Sequence, residues 1–398
     1  MDEKQSHADS LRPLLACLVF VNVLPRGRVR LTMTPPDTTE TTGRRPDGAS
    51  RVGAGVTPFQ TDAEATIRLA VGAEELGYAR FGTAEGWTND AVVVLTQIAG
   101  VTSRIGLATT VLPVWSRTPA AIAMAAAGLQ RASDGRFALG LGASSPPLVE
   151  GLHGLTWQRP VDRMRTALVA VRALLEGARL PLDREGVRAL RLGAPPEQPV
   201  PIVLAALASA SVRLAGELAD QWLPFLWARS RLPDGRALLA EGEARAEVPT
   251  ATALTASVPL AIGEDEAAAR QIAAGWLLAY MTRMGPIYPR MLRDHFGFTD
   301  EVDALLSANE DGGPPQLPST AEGLAREVTV MGTYDEAPDA VRAWLEAGAD
   351  AIDLVLPLGL PEEQLQEMLQ AAAPATSPGG GQSPPKGELS SPRPQSTS

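Results

Sequence analysis

The chain has 398 residues, with 35 Lys+Arg against 46 Asp+Glu and a formal net charge of −11. Hydrophobic residues make up 45%, enough for a large core, and the acidic balance excludes nucleic acid as a general partner because no basic surplus neutralises phosphates. A single Cys excludes a disulfide framework and any cysteine-based zinc or iron–sulfur site, and only Lys4 and Lys386 are lysines, which leaves the core without lysine chemistry.

Residues 1–50 read poorly as structure. An apolar run from Leu14 to Leu24 follows Asp2, Glu3 and Asp9. It lacks the basic start and small-residue cleavage site of a signal peptide, and it is too short to span a bilayer. Met33 or a nearby position is the expected natural start, with 1–32 as upstream sequence and a poor export signal as the alternative. The body is expected to run over 51–372. Residues 373–398 are rich in Pro, Gly and Ser, with too little apolar surface to fold. The expected setting is the cytoplasm, with no membrane partner.

Within the body, strand and helix signals alternate. Arg51–Val56 reads as a first strand. Thr61, with Glu64 three residues on, forms a capping box that opens a helix ending near Gly77. Ala79–Thr83 is a second strand, and a helix spans about 89–102. Ile105–Val111 is the third strand, and Thr118-Pro119 makes a good helix start. Arg136–Leu141 is the fourth strand, with a helix over Val161–Leu175 and an irregular insertion at 178–200. Ile202–Ala206 and Trp222–Leu226 are strands five and six, separated by a helix over Ser209–Ala219. Ala253–Ile262 is strand seven, followed by a helix over Asp265–Met284 and a largely helical insertion at 285–330. A helix over Pro338–Ala347 precedes strand eight, Ala351–Leu356, and Glu362–Ala371 is the last helix.

Eight apolar strands separated by helices imply a parallel sheet. Their number and spacing fit an α/β fold of the (β/α)₈ TIM-barrel type, with insertions after strands 4 and 7. A doubly wound sheet is the rival, but Gly53-Ala54-Gly55-Val56-Thr57-Pro58 breaks the Gly-rich fingerprint that normally opens one.

The strand C-terminal ends, where such barrels place their chemistry, hold few reactive groups. They read Thr83-Ala84-Glu85-Gly86, Thr109-Thr110-Val111, Gly142-Ala143-Ser144-Ser145, Leu207-Ala208-Ser209 and Pro224-Phe225. No metal-holding cluster and no serine nucleophile with a histidine partner is evident, and His153 and His295 are the only histidines in the body. That scarcity points to a borrowed cofactor. A phosphosugar isomerase fits poorly for want of a strand-end Glu/His or Lys pair.

Over about 51–372 the chain resembles the bacterial luciferase-like flavin barrels, including the coenzyme F420-dependent oxidoreductases. The matching stretches are Ala73–Tyr78, Thr102–Leu107, Gly135–Gly142, Leu204–Leu207 and Leu214–Asp220. Pro147–Gly154 and Leu292–Asp300 look like an actinobacterial F420 branch. The resemblance implies a coenzyme F420-dependent oxidoreductase that transfers hydride to or from a small organic substrate. An FMN-dependent luciferase-like monooxygenase using dioxygen and a redox-silent barrel subunit are the alternatives. It also implies a non-prolyl cis peptide at Thr110-Val111 beneath the ring, and a cofactor arm along Gly142, Ala143 and Ser144. A phosphate would lie at the helix start Ala208-Ser209, and Glu85 would be a polar ring contact or a rim carboxylate bound to a helix N-terminus. Gly86 departs from a position often held by histidine, and Ser145 from one that carries a glutamate proton donor in some F420 dehydrogenases. Arg117, Arg159 and Arg163 are candidates for the acidic tail of F420. Trp87, Trp115, Trp157 and Tyr288 are candidates for the substrate wall. His153 is the preferred proton donor, because it follows the strand-four loop, and a homodimer fits the family.

Overall fold

The computed structural model describes residues 50–180, 182, 185–248 and 251–374. The expectations for the N-terminal extension and the C-terminal tail fall on 1–49 and 375–398, outside the described residues.

Ten parallel strands follow in chain order: β1 (Val52–Val56), β2 (Arg80–Thr83), β3 (Gly106–Thr109), β4 (Leu112–Pro113), β5 (Phe137–Gly142), β6 (Ile202–Ala205), β7 (Gln221–Trp222), β8 (Ala253–Gly263), β9 (Val330–Thr333) and β10 (Ala351–Leu356). The ring closes because β10 pairs on one side with β1, in register Val52↔Ile352, and on the other with β8, in register Ala351↔Thr255. Between them run β2, β3, β5, β6 and β7. β3 and β4 form one stave, broken at Thr110-Val111. With that pair counted once, eight staves make the (β/α)₈ barrel. β9 lies off the ring, pairing only with the outer end of β8, Leu260–Gly263. The staves are nearly all buried, as expected of strands covered on both faces.

The stretches that carry the family resemblance tie the barrel together. The Glu74 carboxylate accepts the backbone N–H groups of Ser103, Arg104 and Ile105, the last two at 2.8 Å. The Arg136 guanidinium donates to the carbonyls of Ile105 and Thr102 at 2.6 and 3.0 Å. The Tyr78 hydroxyl donates to the Leu369 carbonyl at 2.8 Å. Inside the barrel Arg80 is paired with Asp353, its Nε 2.8 Å from the carboxylate, and its Nη1 donates to Gln221 at 2.9 Å. This arrangement leaves neither buried charge uncompensated.

Three local expectations are corrected. The first helix (Ala63–Glu75) is capped by Asp62, not Thr61, because the Asp62 carboxylate accepts the Ala65 N–H at 2.8 Å. Trp222–Leu226 shrinks to the two residues of β7, with Phe225 bridged singly to Ser257, since Pro224 has no N–H to donate. The insertion at 285–330 is largely helical as read, but the sequence reading missed β9 just beyond it and the helix Leu232–Glu243 before β8.

Candidate functional site

The C-terminal ends of the staves surround a cleft with about 1150 Å³ of empty space, open solvent included. Its floor is made of small residues. Gly142 ends β5, and a Cβ there would sit 2.7 Å from Val111 Cγ2. Only glycine therefore lets the floor stay this low. The Thr110-Val111 bond is cis, at the position that the resemblance implies.

One end of the cleft carries polar atoms without partners. The Ser144 and Ser145 hydroxyls are both buried and unbonded, and both residues line the cleft. Ser144 has φ 66°, a left-handed turn that takes the chain from β5 into the helix Pro146–Gly151. Close by, the helix Ser209–Leu218 begins at Ala208, whose methyl side chain caps nothing. Its first-turn N–H groups and its dipole favour an anion. The orphaned hydroxyls and the uncapped helix start are donors that could hold an anionic ligand, and the small floor residues leave room for a flat one. An outer lobe adjoins this end and is lined by Trp157, Ser209, Met284, Arg290, Asp294 and His295 among others.

The site residues read from the sequence divide as follows. Glu85, Thr110, Val111, Gly142, Ala143, Ser144 and Ala208 line the inner cleft, and Ser209 lines the outer lobe. Glu85 turns out to be a tethered rim carboxylate. Arg117 Nη2 donates to it at 2.8 Å, and Nη1 pairs with its other oxygen. The Ser116 hydroxyl and the Ala91 N–H, at the start of the helix Ala91–Val101, complete its shell at 3.2 and 3.3 Å. Arg117 also meets Asp90 at 2.6 Å. Burial pulls on the Arg117 guanidinium, but hydrogen bonding to Glu85 outweighs it and holds its pKa above the ordinary value.

The arginine and histidine expectations need correction. Arg117 is consumed by Glu85 and Asp90. Arg159 is exposed and paired with Asp162, and Arg163 lies 5.2 Å over the Trp115 ring. None of the three lines the cleft. His153 also lies outside the lining, because the helix Pro146–Gly151 carries it away from the β5 loop. His295, set aside in the sequence reading, lines the outer lobe and packs on Trp227, with ring centres 5.9 Å apart.

Gly86 has a concrete cause. A Cβ there would lie 2.7 Å from Pro58 Cβ and 3.1 Å from the Pro58 carbonyl oxygen. Pro58 itself lines the cleft, so the chain has filled the space of a side chain with the loop after β1.

Part of the cleft wall is aromatic. Tyr288 belongs to it as read, whereas Trp157 serves the outer lobe, Trp115 stacks on Trp157 at 5.7 Å, and Trp87 packs on Phe59 at the rim. The sequence reading placed Phe225 at a strand end without assigning it to the wall, and missed Tyr280. The ring centres of Phe225 and Tyr280 are 4.6 Å apart, and those of Tyr280 and Tyr288 are 5.1 Å apart. The available signal was Trp276 and Tyr280 one turn apart on the helix Glu266–Arg283, which put two aromatics on one face. Burial pushes both phenols above their ordinary pKa, with the neighbouring Tyr288 adding to the effect on Tyr280.

Comparison with known proteins bears on the family and the fold. A family model described as luciferase-like monooxygenase matches residues 43–351. A relative from Mycobacterium tuberculosis named as a putative coenzyme F420-dependent oxidoreductase is 31% identical over 324 residues, covering 74% of this chain and 90% of its own. Among solved structures, the coenzyme F420-dependent tetrahydromethanopterin reductase of Methanopyrus kandleri matches with a TM-score of 0.64 at 19% identity, over 81% of this chain and 97% of its own. The EDTA monooxygenase of Chelativorans sp. BNC1 matches at 0.56 and 20%, over 79% and 88%. At those identities the structures show the fold alone. Among the described residues no helix is long and apolar enough to cross a membrane.

Proposed function

The chain belongs to the luciferase-like monooxygenase family, and on that premise we propose that it is a coenzyme F420-dependent oxidoreductase acting on a small organic substrate. The observation that carries the choice of cofactor is the outer lobe. The cleft does not stop at the helix start Ser209 but continues past it to the exposed Arg290, which makes no ion pair among the described residues and shares the lobe with Asp294. A phosphate at Ser209 with an acidic tail beyond it would use that cation, whereas a cofactor ending at its phosphate would leave it unmatched. The 31% identical relative named for F420 supports the same reading.

When bound, the deazaflavin supplies or accepts a hydride. The chain's own residues would do the rest. Gly142 and Val111 would set the depth at which a ring can lie, and the unbonded Ser144 and Ser145 hydroxyls would be free to hydrogen-bond its arm. The first-turn N–H groups of Ser209–Leu218, which no side chain caps, would hold the phosphate. The tethered Glu85–Arg117 pair stiffens the rim, and the aromatic wall excludes water and aligns the substrate.

Titrating the purified full chain with F420 and with FMN, read by absorbance and fluorescence, tests this. Binding of F420 but not FMN supports the proposal. Binding of FMN alone makes the protein an FMN monooxygenase, and binding of neither leaves a redox-silent barrel.

A further inference from the structure

We propose that Tyr280, braced by Phe59, sets the length of molecule that the inner cleft accepts, by dividing the cleft from a second apolar space behind it. This rests on the reading above only in placing the substrate in the inner cleft.

The second space is a groove with about 1550 Å³ of empty volume, open solvent included. The helix Glu266–Arg283 gives it one wall, with Ala268, Ile272, Gly275 and Ala279 in a stripe at helical spacing. The loop after β10, from Pro357 to Leu360, gives it another. Arg283 is its only charged lining residue. A carbon chain reaching this groove would therefore exchange water for mostly apolar contacts.

Cleft and groove are built from the same three segments, each turned both ways. In the loop after β1, Thr57 and Pro58 line the cleft and Phe59 lines the groove. Where the helix Glu266–Arg283 ends, Met284 lines the cleft, and Thr282 and Arg283 line the groove. Around the end of β10, Val355 lines the cleft, and Pro357 and Leu358 line the groove. Tyr280 alone lines both. At that point one side chain separates the two spaces.

Tyr280 is held from both sides. Its ring centre lies 5.7 Å from that of Phe59, which lines the groove, and 4.6 Å from that of Phe225, which lines the cleft. Phe59 is itself fixed. The Thr88 hydroxyl donates to the Pro58 carbonyl and the Asn89 amide to the Gln60 carbonyl, each at 3.0 Å, which ties the loop down on either side of Phe59. The Phe59 ring also packs edge-on against Trp87, with centres 5.0 Å apart. A ring packed in this way yields to a ligand only at the cost of an unfavourable rotamer. A molecule that outgrows the cleft here meets a wall, although apolar space lies one side chain away. The ring makes that wall, and the hydroxyl is not needed for it.

The test uses the purified full chain with para-ethylphenol and para-hexylphenol, both uncharged at neutral pH, and reads binding by ligand-observed NMR with and without F420. Each methylene moved from water into apolar space adds about fourfold in affinity. Tyr280→Ala should bind para-hexylphenol at least about tenfold tighter than the unaltered protein does, and para-ethylphenol within about threefold. Retained para-ethylphenol binding reports that the cleft of the variant is intact. Phe59→Ala thins the brace and should give a gain of at least about threefold for para-hexylphenol, which decides the matter should Tyr280→Ala fail to fold. Tyr280→Phe keeps the ring and should show no gain. Adding Gly275→Leu to Tyr280→Ala should cancel the gain by filling the groove, since a Cβ at Gly275 meets only Pro315, at an ordinary 3.7 Å. No para-ethylphenol binding to the unaltered protein, no gain for para-hexylphenol in either folded alanine variant, an equal gain in Tyr280→Phe, or a gain that survives Gly275→Leu would each overturn the proposal. Lost F420 binding with the chain-length effect intact would sink the cofactor reading alone. Intact F420 binding without the chain-length effect would sink this proposal alone.

Discussion

Replacing Arg117 with alanine separates the two readings of Glu85, as a free ring contact or as a tethered rim carboxylate. The substitution removes both guanidinium bonds to Glu85 and the 2.6 Å contact to Asp90. Glu85 stays buried, with a side chain only 9% exposed and two long bonds at 3.2 and 3.3 Å. Stranding one member of a buried pair costs about 3–5 kcal/mol. Arg117 is itself 19% exposed. Water reaching this rim reduces the expected loss to about 2–3 kcal/mol, a fall of about 3–5 °C in Tm for a barrel of this size. Urea unfolding of Arg117→Ala, Glu85→Gln and the double variant gives the coupling directly. The double variant should recover about 1.5–2.5 kcal/mol of the summed single losses, since no charge is then stranded. A loss below about 0.5 kcal/mol in Arg117→Ala, or strict additivity in the double variant, would refute the tether.

Three further outcomes follow from the same geometry. Ser209→Glu places a carboxylate at the helix start, where it should leave stability unchanged or raise it by about 0.3–1 kcal/mol; two like charges about 5 Å apart cost about 3 kcal/mol at an effective dielectric near 20, so affinity for the anionic cofactor should fall at least about 100-fold in titration. Glu74→Gln should cost about 1–2 kcal/mol at neutral pH by urea unfolding. Burial raises the Glu74 carboxyl, but the N–H groups of Ile105, Arg104 and Ser103 outweigh it and the net shift is downward. A depressed folded pKa contributes stability that is full above the unfolded value and lost as pH falls through the folded one, so the gap between variant and parent should close in acid. Gly142→Ala brings a Cβ to 2.7 Å from Val111 Cγ2 and should destabilise the barrel by about 1–3 kcal/mol, measurable by thermal unfolding.

The barrel was readable from the sequence because its signals are local. β10 and the helix Glu362–Ala371 fall where the apolar run and the acidic helix start put them. Thr118-Pro119 opens its helix as read, with the Thr118 hydroxyl accepting the Ala121 N–H. Asp62 outcompeted Thr61 as a cap because two adjacent residues both offered an acceptor. β9 was missed because four residues without alternation, inside a helical stretch, give no periodic signal.

The site was legible where backbone and small residues make it, and illegible where side chains from distant segments meet. Gly142 and Ser209 are marked by their place at strand ends. Nothing near Arg117 in the chain reveals that Glu85, 32 residues away, has claimed it. His153 was preferred over His295 on nearness in sequence, but the insertion after strand seven folds over the mouth and brings His295 to the outer lobe. Gly86 looked like a lost functional residue until Pro58 was found beside it.

The most direct test of the central claim is the paired titration of the full chain with F420 and FMN under identical buffer and salt. The account predicts saturable F420 binding, weakened by Ser209→Glu, with no comparable FMN binding. FMN binding of equal or greater strength, or F420 affinity indifferent to Ser209→Glu, would contradict it.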